Sequence, residues 1–202
     1  MQEEMIVEES AKMISADEDF SIAGKELKKV DLACGQNKKE GFIGIDGVKT
    51  DNVDIVHNLM EFPWPFEDNS IWEMYCSHFV EHIPIQLQDG SYGLNRFMEE
   101  VYRCLMPGGQ ITIIAPYYTS IRAWQDPTHC RAITDVTFDY YSKGKIGGVD
   151  HYMPKCNFEI IHRRHVLNKE FEPLGDEARL YAMRHYFNVV DDIQFMLRKI
   201  DL

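Results

Sequence analysis

From Lys28 onward, short apolar runs alternate with turn-rich or amphipathic segments, the pattern of a parallel sheet covered by helices. Val30-Asp31-Leu32-Ala33 predicts a first strand that ends at Cys34-Gly35. Phe42 to Asp46, Val53 to His57 and Ile71 to Cys76 predict the next three. Leu94, Phe97, Met98, Val101, Tyr102 and Leu105 recur at three- and four-residue steps, which predicts a helix from Leu94 to Met106. Arg96, Glu99, Glu100 and Arg103 fall on its outer side. Pro107-Gly108-Gly109 stops it, and Ile111 to Ala115 reads as a buried fifth strand, so helix and strand together form half of a βαβ crossover. Phe158 to Val166 and Val189 to Ile200 predict two closing strands, with a helix from Glu177 to Tyr186 between them.

The same pattern sets the organisation of the chain. Residues 1–24 are polar and acidic and read as an N-terminal arm, leaving 25–202 as one domain. Between Pro116 and Met153 the periodicity loosens. Tyr117, Tyr118, Trp124, Tyr140 and Tyr141 mix there with charged residues and a glycine-rich run, so 116–153 reads as a substrate loop or lid. The link from Cys34 to Gly41 is shorter than the dozen or so residues that a helical crossover between parallel strands requires. The first crossover helix is therefore expected to be shortened or absent.

Composition narrows the function. Apolar residues make up 45% of the 202, enough for a full core, which excludes a disordered tail or a disulfide-dependent mini-protein. Lys and Arg number 21 against 33 Asp and Glu, a net charge of −12 that repels phosphate backbones and anionic bilayers. Nucleic acid and membrane are thus not expected partners. Five cysteines without a C-x-x-C pair fit a reducing compartment. Met1-Gln2-Glu3-Glu4 is acidic where a signal peptide would be basic, and no apolar run reaches bilayer length, so a cytoplasmic location is expected.

Three features carry candidate chemistry. The first strand runs into the small-residue turn Ala33-Cys34-Gly35, where backbone amides can point at an anionic group; the same residues also suit close packing. Asp46 closes the second strand, where a carboxylate can accept the hydroxyl protons of a ribose, although Asp46-Gly47 equally makes a simple turn. His57-Asn58-Leu59, then Cys76 to His82, then Arg103 to Gly109 follow the later strands in order.

Taken together, Asp31-Leu32-Ala33-Cys34-Gly35, Ile45-Asp46, Phe66 to Ile71, Phe79-Val80-Glu81-His82 and Arg103 to Gly109 resemble the class I S-adenosylmethionine-dependent methyltransferases, of the small-molecule methyltransferase-domain type. The resemblance spans about Val30 to Pro116. It implies an α/β fold with a Rossmann-like, doubly wound, mostly parallel sheet and an antiparallel C-terminal strand. It also implies S-adenosylmethionine as cofactor. Asp31, Ala33, Cys34, Gly35 and Gln36 would meet its methionine part, and Asp46 with Gly47 its ribose. Asn58 would bind the adenine edge with Leu59 flanking the ring, and Ser77 and His78 would line the floor near the transferable methyl. The chain departs from the family where Gln36 and Asn37 replace two glycines of the first motif.

Methyl transfer from a sulfonium is an in-line displacement in which positioning supplies much of the acceleration, sometimes with a base to remove a proton. His129 is the first candidate base, with Asp126 three residues away to orient it and His78 as a further catalytic candidate. Asp126-Pro127-Thr128 is also a common turn starter. Arg122 and Arg131 suit either an acidic substrate or surface ion pairs. His78 and His82 lie one helical turn apart, but no third ligand has metal-site spacing, so no metal is expected. Two other readings stand beside methyl transfer. One is a non-catalytic adenosylmethionine-binding module. The other is a nucleotide-dependent oxidoreductase, disfavoured because the loop lacks G-x-G-x-x-G.

Overall fold

The computed structural model describes residues 21–22, 25–146 and 154–202. Most of the N-terminal arm and residues 147–153 of the expected lid lie outside the described residues. A two-residue strand pair, Ser21–Ile22 with Lys25–Glu26, leads into a seven-stranded sheet. Its strands are β1 (Lys28–Leu32), β2 (Ile43–Asp46), β3 (Ile55–Val56), β4 (Ile71–Ser77), β5 (Leu105–Pro116), β6 (Phe158–Leu167) and β7 (Val190–Lys199). The spatial order is β3-β2-β1-β4-β5-β7-β6. Only β7 runs antiparallel, between β5 and β6. This is the doubly wound, mostly parallel sheet with an antiparallel C-terminal strand that the sequence implied.

The core forms where apolar side chains of the central strands meet the buried stripe of α1 (Gly93–Cys104). Val30, Leu32, Met74, Ile111 and Ile113 are fully covered, and Leu94, Phe97, Met98 and Val101 pack against them. Glu100 also lies on the buried face of α1. Its Oε1 accepts the Trp64 amide at 2.6 Å and the Arg103 guanidinium at 2.6 Å, and Arg103 reaches on to Asp68. The segment before β4 is thereby tied to the helix, and Arg103 sits in the last turn, where a cation complements the helix dipole. A second helix, α2 (Asp176–His185), is mostly exposed and links β6 to β7.

Two differences from the sequence reading have physical causes. The third strand is only Ile55–Val56: the Asp54 amide still bonds the Gly44 carbonyl at 3.0 Å, but the Gly44 amide goes to the Asp54 carboxylate, shared with Lys38, and not to a backbone carbonyl. The fifth strand starts at Leu105, six residues early, and its pairing with β4 shifts register around Pro107-Gly108-Gly109. Between β1 and β2 there is no helix. The link folds as turns instead, with the Asn37 amide on the Cys34 carbonyl and the Phe42 amide on the Lys39 carbonyl. The buried Asp31 carboxylate accepts the Lys39 amide at 2.7 Å and fastens this shortened crossover from below.

Gly44 lets the crossover close. A Cβ there would stand 2.7 Å from Cys34 Sγ, 2.7 Å from Lys38 Cδ and 2.8 Å from the Asn52 carbonyl oxygen. The loops after β1 and β2 therefore converge on one bare backbone position.

Candidate active site at the C-terminal rim of the sheet

Parallel strands β1 to β5 all end at one rim, and the expected site residues follow their ends in sequence. After β1, Ala33 and Gly35 both adopt left-handed backbone, with φ of 56° and 53°. A non-glycine residue there is uncommon and costs about 1–2 kcal/mol, strain of a kind that clusters at functional sites. The turn they form presents the Gly35 amide to Asp46 Oδ2 at 3.0 Å, while the Val48 amide donates to Asp46 Oδ1 at 2.8 Å. Thr50 Oγ1 donates to the Gly35 carbonyl at 2.8 Å, and the Asn52 side-chain amide donates to the Gln36 carbonyl. The two loops are thus cross-braced through Asp46. Gln36 itself is exposed, and Cys34 is buried with its thiol pushed up to about 11 by burial and by the charges of Asp31 and Asp46.

The neighbouring strand end completes one side of this rim. A Cβ on Gly47 would meet Asn58 Cα at 3.8 Å, so the ends of β2 and β3 lie in contact distance. Asn58 is exposed, and its Oδ1 accepts the Met60 amide at 3.0 Å. Leu59 does not share that surface. It is 3% exposed in the core, and its carbonyl accepts from Trp64 Nε1, so its side chain lies beneath the turn and not on an open face.

On the other side of β1 the rim becomes charged. Ser77 ends β4, and His78 turns out of it with φ of 52°. His78 Nδ1 stands 3.5 Å from Glu81 Oε1, and its Nε2 stands 3.8 Å from Asp192 Oδ2 on β7. Arg122, from the loop after β5, donates to Asp192 Oδ2 at 2.8 Å. Glu81 and Asp192 raise the His78 pKa above the ordinary histidine value, against burial and the Arg122 charge, which lower it. Burial raises the Asp192 carboxyl, while His78 and Arg122 pull it back.

The loop after β5 is docked onto the turn after β4. The Cys130 amide donates to the Glu81 carbonyl at 2.7 Å, and Arg131 Nη2 donates to the carbonyls of Ile83 and Pro84. Arg131 is therefore committed to structure. This docking brings His129 against His82, with ring centroids 4.5 Å apart and near-perpendicular planes. Glu81, His82 and His129 each offer a ligand atom within 4.8 Å of the others. The third side chain that spacing did not supply comes from far along the chain, and only the loop docking reveals it. Glu81 is the residue that joins the two histidine candidates. It touches His78 on one side and the His82–His129 pair on the other, although the sequence marked it only as part of a family motif.

His129 and Asp126 lie close together, at 4.0 Å between Nε2 and Oδ2, but neither is free-standing. His129 Nδ1 bonds the Ala123 carbonyl at 3.1 Å, and Asp126 Oδ1 accepts both the amide and the hydroxyl of Thr128. The Asp126 carboxyl is held below its ordinary pKa by those Thr128 bonds. The aromatic residues of the loop divide in two. Tyr117 and Tyr141 are core, whereas Tyr118, Trp124 and Tyr140 stay exposed near or on the loop surface. A cavity of about 520 Å³, lined by Tyr141, Lys143, Cys156 and Leu202, lies at the opposite end of the sheet beside the start of β6. It is separate from the rim.

Solved S-adenosylmethionine-dependent methyltransferases share this fold. One from Archaeoglobus fulgidus superposes with a TM-score of 0.56 at 18% identity, covering 86% of each chain. The YcgJ protein from Bacillus subtilis superposes with a TM-score of 0.54 at 14% identity, over 87% of this chain and 93% of that one. The geranyl diphosphate C-methyltransferase of Streptomyces coelicolor, solved with Mg2+, geranyl diphosphate and S-adenosyl-L-homocysteine, gives 0.50 at 12% identity, over 86% and 72%. No protein-family model matches the sequence, and no curated protein matches it. Among the described residues, no helix is long and apolar enough to cross a membrane.

Proposed function

We propose that the protein is an S-adenosylmethionine-dependent methyltransferase acting on a small-molecule acceptor. The observation that carries this reading is the brace between the loop after β1 and Asp46. It sets backbone amides and a carboxylate at the rim, near the approach of Gly47 to the Asn58 backbone, where ligands of open α/β sheets bind. In this reading Ala33 to Gln36 face the methionine part, Asp46 and Gly47 the ribose, and Asn58 the adenine edge. Asp31 acts from beneath, by holding the loop. Each carboxylate oxygen of Asp46 has a lone pair left after its backbone bond, so it can accept a ribose hydroxyl without releasing the loop.

The acceptor then approaches from the side of β4 and β5, next to Ser77 and His78. His78 is the proton acceptor in this reading, because its side chain is 39% exposed while that of His129 is 9% exposed. His129 and Asp126 act as neighbours that shape the loop. The small-molecule class is supported by the acidic charge of the chain and by exposed Tyr118 and Trp124 beside the rim.

The test is a titration with S-adenosylmethionine and S-adenosylhomocysteine, read by melting temperature and calorimetry. Both are expected to bind, and Asp46→Ala is expected to abolish the response. His78→Gln should keep cofactor binding and lose turnover once an acceptor is found. Absence of any response to either ligand overturns the reading. Binding with no methyl consumption across a broad acceptor panel favours a non-catalytic adenosyl-binding module instead.

A further inference from the structure

We propose that Glu81, His82 and His129 form a binding site for a first-row divalent transition-metal ion. The inference goes beyond methyl transfer and does not depend on it. Its first support is the Glu81 carboxylate. The side chain is 2% exposed, and among the described residues neither oxygen has a hydrogen-bond donor. His78, at 3.5 Å, is at ion-pair separation without a well-formed hydrogen bond. A buried carboxylate without donors is costly unless cations face it; His78 stands on one side of Glu81 at ion-pair distance, and the His82 and His129 imidazoles stand on the other.

The second support is the state of those imidazoles. Thr128 Oγ1 gives its proton to Asp126 Oδ1 at 2.6 Å, so toward His82 Nδ1, 2.9 Å away, it can only accept. His82 therefore donates from Nδ1, and in the neutral ring its lone pair lies on Nε2. His129 donates from Nδ1 to the Ala123 carbonyl at 3.1 Å, so in the neutral ring the lone pair likewise lies on Nε2. Orientation of each ring by its second nitrogen is how metal-binding histidines are commonly held. Here one ring is held by a hydroxyl–carboxylate relay and the other by a backbone carbonyl.

The donor set selects the ion. Two imidazole nitrogens and one carboxylate oxygen suit zinc and its first-row neighbours, whereas magnesium and calcium favour all-oxygen shells. A tetrahedral ion with ligands about 2.1 Å away needs them roughly 3.4 Å apart. The three groups lie within 4.8 Å of one another, and half-exposed His82 has room to move closer where a pair stands wider than the ion requires. Three protein ligands leave a coordination position for water or an acceptor oxygen.

The experiment uses the full untagged chain, stripped with EDTA and titrated with Co2+ and then Zn2+. Binding is followed by the visible absorption of Co2+ and by calorimetry. One equivalent is expected to bind saturably, with Zn2+ displacing Co2+. His82→Ala and His129→Ala should each weaken binding by at least about tenfold, since even loss of an outer partner costs that much. Circular dichroism of both variants establishes that they fold; His82, the more open residue, is the safer of the two. No saturable binding overturns the proposal. So does unchanged affinity in folded His82→Ala, which would assign the ion to exposed histidines such as His162 or His185. S-adenosylhomocysteine is titrated in the stripped protein, so loss of the adenosyl reading and loss of the metal site are read separately.

Discussion

The Gly35 amide donates to Asp46 Oδ2 at 3.0 Å, which makes the carboxylate at the end of β2 the clasp of the loop after β1. Asp46 thus has a structural task as well as the proposed ribose contact. Asp46→Asn offers only one acceptor oxygen where the native side chain uses two. The variant is expected to lose about 1 kcal/mol of stability by chemical denaturation. Its affinity for S-adenosylhomocysteine should fall further than the stability loss accounts for.

Gly44→Ala is expected to destabilise the protein by about 1–3 kcal/mol, as overpacking does in a closed core. The new methyl would press on Cys34, Lys38 and the Asn52 backbone, and the last of these cannot rotate away. Gly41→Ala is the control, because its surroundings are open and only its φ of 77° is strained. Urea unfolding of the two variants separates packing from backbone strain.

Thiol chemistry should single out one residue. Cys130 is exposed, whereas Cys34, Cys76, Cys104 and Cys156 are buried. Burial also pushes the Cys104 and Cys156 thiols up to about 12, so little nucleophilic thiolate forms. Iodoacetamide at mildly alkaline pH is expected to modify Cys130 rapidly and the other four only on unfolding. Mass spectrometry of wild type and Cys130→Ser checks this.

Acid should weaken the shortened crossover through Asp54. Its hydrogen bond to Lys38, and then the Gly44 amide, hold its carboxyl below the ordinary pKa. With the folded value depressed, the contribution to stability is complete above the ordinary carboxylate range. It is lost as pH falls through that range toward the folded value. The melting-temperature gap between wild type and Asp54→Asn should therefore be widest near neutrality and shrink below about pH 4. Asp31 works in the opposite sense, since burial, partly offset by the Lys39 amide and by the Lys39 and Lys38 charges, raises its pKa and acid relieves its desolvation.

Much of the fold was legible along the chain because burial imposes a period. The stripe Leu94, Phe97, Met98 and Val101 fixed α1, and the unbroken run Ile111 to Ala115 fixed the strand beside it. The absence of a first crossover helix also followed from chain length alone. The edge strand is shorter than its apolar run suggests, since an edge offers one ladder and the Asp54 carboxylate takes the Gly44 amide in place of a backbone carbonyl. Leu59, which the resemblance sets beside an adenine ring, lies in the core, where an apolar side chain next to a turn is drawn inward and Trp64 bonds its carbonyl.

Local sequence therefore determined which segments become strands and helix, and which strand ends carry Asp46, Asn58, Ser77 and His78. Periodicity and turn chemistry act between near neighbours and can be read there. The convergence of the loops on Gly44, the ion cluster of His78, Arg122 and Asp192, and the meeting of Glu81, His82 and His129 were decided only by the tertiary structure. The two side-chain clusters join segments tens of residues apart, and backbone docking such as Cys130 on Glu81 brings those segments together, which depends on strand order and not on spacing.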